Sequence, residues 1–145
     1  MAIRFFLHHV NYRIGGKKKI KTCVKGIITD YKRREGEINI IITTDRDLLE
    51  INKKYLKRDY FTDIISFDLS KDESISGDLY ISIDRVKENA KLFNVKKEVE
   101  LLRVIIHGVL HLLGYKDKGK QERKKMTEKE DYYIEIYYKK RSVNL

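Results

Sequence analysis

Along this chain the apolar positions switch repeatedly between the two-residue alternation of strands and the three-and-four spacing of helices. Residues 3–10, Ile-Arg-Phe-Phe-Leu-His-His-Val, read as a first strand. Ile20, Cys23, Val24, Ile27, Ile28 and Tyr31 then recur at helical spacing with Lys17, Lys18, Lys19, Lys21 and Lys25 off that stripe, which predicts a basic amphipathic helix. Glu37 to Thr44, centred on Ile38, Ile40, Ile41 and Ile42, has the β-branched density of a buried strand. Thr44 or Asp45 can cap the following helix, which carries Leu48, Leu49, Ile51, Asn52, Tyr55 and Leu56. Asp63 to Asp68 and Asp78 to Ile83 read as two further strands, the second with Leu79, Ile81 and Ile83 alternating with Asp78, Tyr80 and Ser82.

A helix over about Asp84 to Phe93 leads into Val99 to Leu113, where apolar side chains surround the helix on every side, as they do when a helix lies in the middle of a domain. Gly114 is placed to end it in a left-handed conformation and turn the chain back. A last helix, about Lys120 to Arg141, carries Met126, Tyr133, Ile134, Tyr137 and Tyr138. These elements predict an α/β (α+β) fold, a mixed four-stranded sheet packed against helices with one buried helix at its centre. No linker, repeat or low-complexity tract interrupts them, and 145 residues, 41% hydrophobic, suffice for one core, so residues 1–145 are expected to form a single domain.

Charge adds a class of partner. Thirty-two Lys and Arg against 22 Asp and Glu leave a net charge of +10, whose field draws in polyanions; RNA, DNA and anionic membrane are all admissible on that ground alone. No apolar run approaches the roughly 20 residues that span a bilayer, and Met1-Ala2-Ile3-Arg4 has no signal-peptide pattern, so a cytoplasmic protein without membrane contact is expected. The single cysteine, Cys23, has no partner for an internal disulfide and falls among apolar neighbours, as a buried inert thiol does.

The chemistry gathers on the apolar helix. His107 and His111 are four apart, so their rings share one face, and the turn at Gly114 brings Asp117 back towards it. His-x-x-x-His alone is more often a pair of core or surface histidines. Inside an otherwise apolar helix, however, each unpaired imidazole costs about 1 to 3 kcal/mol, and one metal ion satisfies both. Two imidazoles and a carboxylate suit a single zinc ion and also accept other divalent transition metals.

At these residues the chain resembles a known family. His107-Gly-Val-Leu-His111-Leu-Leu-Gly114-Tyr115 is similar to the signature His-Gly-x-Leu-His-Leu-x-Gly-Tyr-Asp-His of the YbeY family of bacterial rRNA-maturation metalloribonucleases. Glu122, Met126 and Glu130 follow at the family's spacing. Thr62-Asp63-Ile64-Ile65-Ser66-Phe67 and Gly77-Asp78-Leu79-Tyr80-Ile81-Ser82 resemble two of its strands. The resemblance implies a zincin-like site in which Asp117 stands where the family has its third histidine, and Lys116 where it has aspartate. It also implies a catalytic arginine in a Tyr-Arg-x-Lys-Asp segment. This chain reads Tyr55-Leu56-Lys57-Arg58-Asp59, so Leu56 takes the arginine's position, and either Arg58 or Lys57 substitutes or the role is absent here.

A divalent metal with an open position activates water and polarises a carbonyl or phosphoryl oxygen, which makes hydrolysis the general class. Peptidases with such a helix carry Glu directly after the first histidine, and Gly108 stands there instead. A phosphodiester fits the basic charge better. The resemblance implies a single-strand-specific endoribonuclease acting in small-subunit rRNA 3′-end maturation and ribosome quality control, with RNA or the ribosome as partner. Hydrolysis of another substrate such as a peptide, and a non-catalytic assembly factor with structural zinc, stay open beside it.

Weaker signals admit two readings each. Lys17 to Lys21 and Arg33-Arg34 fit phosphate tracking or a solvated face, and Tyr132, Tyr133, Tyr137 and Tyr138 fit base stacking or core packing. The polar loop Ser70 to Ser76 fits a flap or a plain connection. His8 and His9, adjacent on an expected strand, should point to opposite faces and so share no metal.

Overall fold

The computed structural model describes residues 2–139. Four strands, β1 (Ala2–Leu7), β2 (Arg34–Thr43), β3 (Ile64–Asp68) and β4 (Ser74–Ser82), form one sheet in the order β1-β2-β4-β3. β1, β2 and β4 run parallel, and β3 lies antiparallel at the edge. The sheet is therefore mixed, as expected. Its alternation is one-sided: Ile3, Ile38, Ile40, Ile42, Ile75, Leu79 and Ile81 are all buried, while Arg4, Phe6 and Asn39 of the opposite parity are not.

Two helices of the buried face close the core. α1 (Lys17–Asp30) buries Ile20, Cys23, Val24, Ile27 and Ile28 and leaves its lysines outside. α4 (Lys97–Leu112) buries eleven of its 16 residues, which makes it the central helix the sequence predicts. It ends in a Schellman closure, with Gly114 at φ 101°, its N–H donating to the His111 carbonyl at 3.0 Å and the Tyr115 N–H to the Leu110 carbonyl at 3.0 Å. Gly108 explains how α4 lies so near the sheet, since a Cβ there would stand 2.7 Å from Ile64 Cδ1 and 3.0 Å from Leu79 Cδ2.

α2 (Asp45–Leu56) begins at Thr44, whose hydroxyl accepts the Asp47 N–H at 3.0 Å. It buries only Leu48 and Asn52, so the apolar stripe read there is half solvent-facing, with Tyr55 exposed. α3 (Ile83–Leu92) joins β4 to α4, and α5 (Lys120–Ile134) runs into a π-helical turn, Glu135–Lys139. Arg141, where the last helix was expected to end, lies outside the described residues. Among the described residues no helix is long and apolar enough to cross a membrane.

One reading needs correction, and two that were open are decided. β1 stops at Leu7, so His8 and His9 lie beyond the strand, and His9 takes a left-handed φ of 59°. The polar loop is shorter than Ser70–Ser76, because β4 already begins at Ser74; Lys71 and Ser74 bridge, and the Ser70 hydroxyl pairs with Ser76, which makes it a closed hairpin. The terminal tyrosines pack: Tyr133 is buried with its hydroxyl donating to Asp30 Oδ2 at 2.9 Å, and Tyr137 and Tyr138 lie against the core, leaving only Tyr132 of the four exposed.

Candidate metal centre

α4 presents His107 and His111 on its one face not packed in the core, and the Gly114 turn returns the chain so that Asp117 faces both. His107 Nε2 lies 3.0 Å from His111 Nε2 and 3.0 Å from Asp117 Oδ2, and His111 Nε2 lies 3.3 Å from that same oxygen. The three atoms make a nearly equilateral triangle. Tetrahedral zinc with bonds of about 2.0 to 2.1 Å separates its ligand atoms by about 3.3 to 3.4 Å, so the triangle needs almost no adjustment to hold such an ion.

Proton placement strengthens the fit. His111 Nδ1 lies 2.9 Å from the Tyr115 carbonyl, which can only accept, so that nitrogen carries hydrogen. His107 Nδ1 lies 2.6 Å from Glu130 Oε2, and a carboxylate again takes the acceptor's part. In the neutral rings both Nε2 atoms then expose lone pairs, and with Asp117 three acceptors converge on one point with no hydrogen between them. A metal ion resolves that arrangement, as does a proton placed on one Nε2. Burial pulls the His107 pKa down, but the hydrogen bond to Glu130 and the charges of Glu130, Asp63 and Asp117 outweigh it and leave it raised. The surroundings demand positive charge at this point.

Glu130 is nearly buried on α5 and is itself held by Arg103, whose Nη1 donates to Oε1 at 3.1 Å. The sequence reading quoted it only for its spacing. The signal was present, since Met126, Glu130 and Tyr133 share one face of α5, and an acid on an apolar stripe needs a partner. Asp63, also passed over, stands in the cleft wall with its carboxyl pKa raised by burial. Glu122, which follows the metal motif at the family's spacing, is engaged elsewhere: its Oε1 accepts the Lys118 and Gly119 N–H groups and caps α5.

The triangle opens into a cleft of about 700 Å³, walled by the β3 edge (Ile64, Ile65, Ser66) on one side and by Leu56, Arg58 and Tyr60 on another, with Lys116 and Lys118 at its rim. The Arg58 segment is fixed. Lys57 caps α2 at φ 53°, the Arg58 N–H reaches the Asn52 carbonyl at 3.1 Å, and buried Asn52 donates its amide to the Tyr60 carbonyl at 2.9 Å. Arg58 thus lines the cleft, while Lys57 is used as the cap. Gly108 turns away from the cleft into the sheet.

The family model for Endoribonuclease YbeY matches residues 9–138. Among curated proteins, Endoribonuclease YbeY of Flavobacterium psychrophilum is 44% identical over 94% of this chain and 98% of its own length. That of Bacteroides thetaiotaomicron is 45% identical over 90% and 96%. A solution structure from Thermotoga maritima superposes with a TM-score of 0.63 at 28% identity, covering 99% of this chain and 93% of that one.

Proposed function

Since the chain belongs to the endoribonuclease YbeY family, we propose that it is a divalent-metal-dependent endoribonuclease whose ion, zinc by its donor set, is held by His107, His111 and Asp117. The observation that carries this is the convergence of three lone-pair donors, with both Nδ1 protons already given to Glu130 and the Tyr115 carbonyl. When bound, such an ion supplies an acidified water and polarises a phosphoryl oxygen.

The chain's own residues do the rest. Glu130 and the Tyr115 carbonyl fix the tautomer and ring orientation of the two histidines, which keeps Nε2 free of hydrogen. Arg58, Lys116 and Lys118 border the cleft with positive charge, suited to seat a phosphate and to offset the charge that builds on it during attack. Arg58 is the residue assigned to the place of the family arginine. Tyr60, half exposed at the cleft, offers a face on which an unpaired base can stack, which favours single-stranded RNA over a duplex. Small-subunit rRNA within the ribosome, in the cytoplasm, is the substrate this reading assigns.

The test is a cleavage assay on single-stranded RNA with metal analysis of the same preparation. His107→Ala and His111→Ala should each reduce cleavage to background and lose one equivalent of metal relative to the parent while the helical circular dichroism persists. Cleavage should fall steeply as salt rises, as phosphate contacts require. Cleavage by the double variant at the parent's rate would remove the ligand assignment, and equal rates on DNA of the same sequence would replace ribonuclease with general phosphodiesterase.

A further inference from the structure

Beyond the cleft, the described residues bring a second pair of imidazoles to a carboxylate: His8 and His9, just past β1, meet Asp47 of α2. The strand reading had put the two rings on opposite faces. The structure instead anchors the His8 N–H to the Ile42 carbonyl at 2.9 Å, the last bond of the sheet, and then turns His9 left-handed. That one backbone conformation, uncommon for a residue with a side chain, swings the second ring back beside the first. Their centroids lie 3.9 Å apart.

Asp47 Oδ2 lies 2.7 Å from His9 Nδ1 and 4.0 Å from His8 Nε2. These separations bracket the roughly 3.3 to 3.4 Å between ligand atoms on a tetrahedral ion, and both rings face solvent, where each can adjust toward that spacing. The carboxylate is held in place by Thr43, whose hydroxyl donates to Oδ2 at 2.9 Å, and it sits at the capped start of α2. A carboxylate between two imidazoles repels phosphate and attracts cations. A simple His9–Asp47 hydrogen bond would account for one ring and would leave the position of His8 unexplained. Both rings are more than half exposed, so water can complete the coordination.

We propose that His8, His9 and Asp47 form a second divalent transition-metal site, independent of the one on α4, that ties the end of β1 to the start of α2. Its class is the imidazole-and-carboxylate set that takes zinc, nickel or copper.

The test is calorimetric titration of the chelator-stripped full chain with Zn2+, alongside imidazole nitrogen NMR. The parent should take two equivalents, the weaker one shifting the His8 and His9 ring resonances. His8→Ala/His9→Asn should take one, and His107→Ala/His111→Ala should also take one, now the other. Asparagine tolerates the left-handed backbone; should the double variant still fold poorly, His8→Ala alone, which spares the His9–Asp47 bond, should weaken the second equivalent at least tenfold. A parent that takes one equivalent, or a His8→Ala/His9→Asn variant that still takes two, overturns the proposal. Two equivalents retained by His107→Ala/His111→Ala would count against the α4 site and leave this one standing.

Discussion

Among the described residues a His, His, Asp group that could hold a metal occurs twice, and the two clusters differ in what stands behind them. On α4 the rings are about three-quarters buried, and each has its second nitrogen committed, to Glu130 or to the Tyr115 carbonyl. At the end of β1 the rings are mostly solvated, and the one fixed member is the carboxylate, held by Thr43. The same residue types therefore sit in a pre-set triangle in one place and in an adjustable one in the other. Affinity and chemistry belong to the supporting residues as much as to the ligands.

The sharpest way to break this contrast is through Asp117. Asp117→Ala should lose the α4 ion, Asp117→Asn should bind it much more weakly, and Asp117→His should retain it, because imidazole and carboxylate reach zinc at nearly the same distance. Equal zinc affinities across the three would place the third ligand elsewhere. Glu130→Gln tests the support rather than the ligand, and should lower zinc affinity and cleavage by about 10- to 100-fold with the His8 and His9 resonances unmoved.

A smaller effect comes from Glu100, buried beneath the inner cluster and facing Arg103, Asp63 and Glu130. Burial, only partly relieved by Arg103, pushes its pKa from 4.5 up to about 7. The folded state therefore holds a proton there that the unfolded chain releases. The stability so gained is complete below about pH 4.5 and lost as pH rises through about 7. Glu100→Gln should match the parent near pH 4.5 and exceed it at pH 8 by up to about 3 kcal/mol in chelator-treated urea unfolding. Parallel pH profiles would contradict that. The outer cluster should show the least: His9→Asn is expected to change stability by under about 0.5 kcal/mol and His9→Val to cost about 1 to 2 kcal/mol, since only the latter resists the left-handed backbone. Equal unfolding midpoints for the two variants would mean that this conformation is not held in solution.

How much was legible follows the same division. The α4 site was readable because its geometry is local: helical periodicity puts His111 one turn from His107, and a glycine after the last apolar residue forecasts the turn that brings Asp117 back. β1 was read three residues too long because Val10 continues the apolar pattern, and nothing in composition marks where an adjacent histidine adopts positive φ. Glu130 carries a signal as an acid on the apolar face of α5, but that it and Asp63 meet His107 depends on the tertiary packing of α5, the β3 edge and α4. Leu56 was read as stripe and as the missing arginine's position; it lines the cleft, and the charge comes two residues later, after the helix has been capped by Lys57.

The missing side chain at Gly108 limits what this scaffold can become. Hydrolases of related design acquire peptide specificity through an acid immediately after the first histidine, which here would be a change at one codon position of the chain. A Cβ there would stand 2.7 Å from Ile64 Cδ1 and 3.0 Å from Leu79 Cδ2, so the same substitution would have to displace the ends of those two side chains and would set a charge between aliphatic groups before it could serve as a base. The new base would therefore come only with repacking of Ile64 and Leu79 and with a charge buried between them, so packing as well as catalytic groups sets the cost of that change.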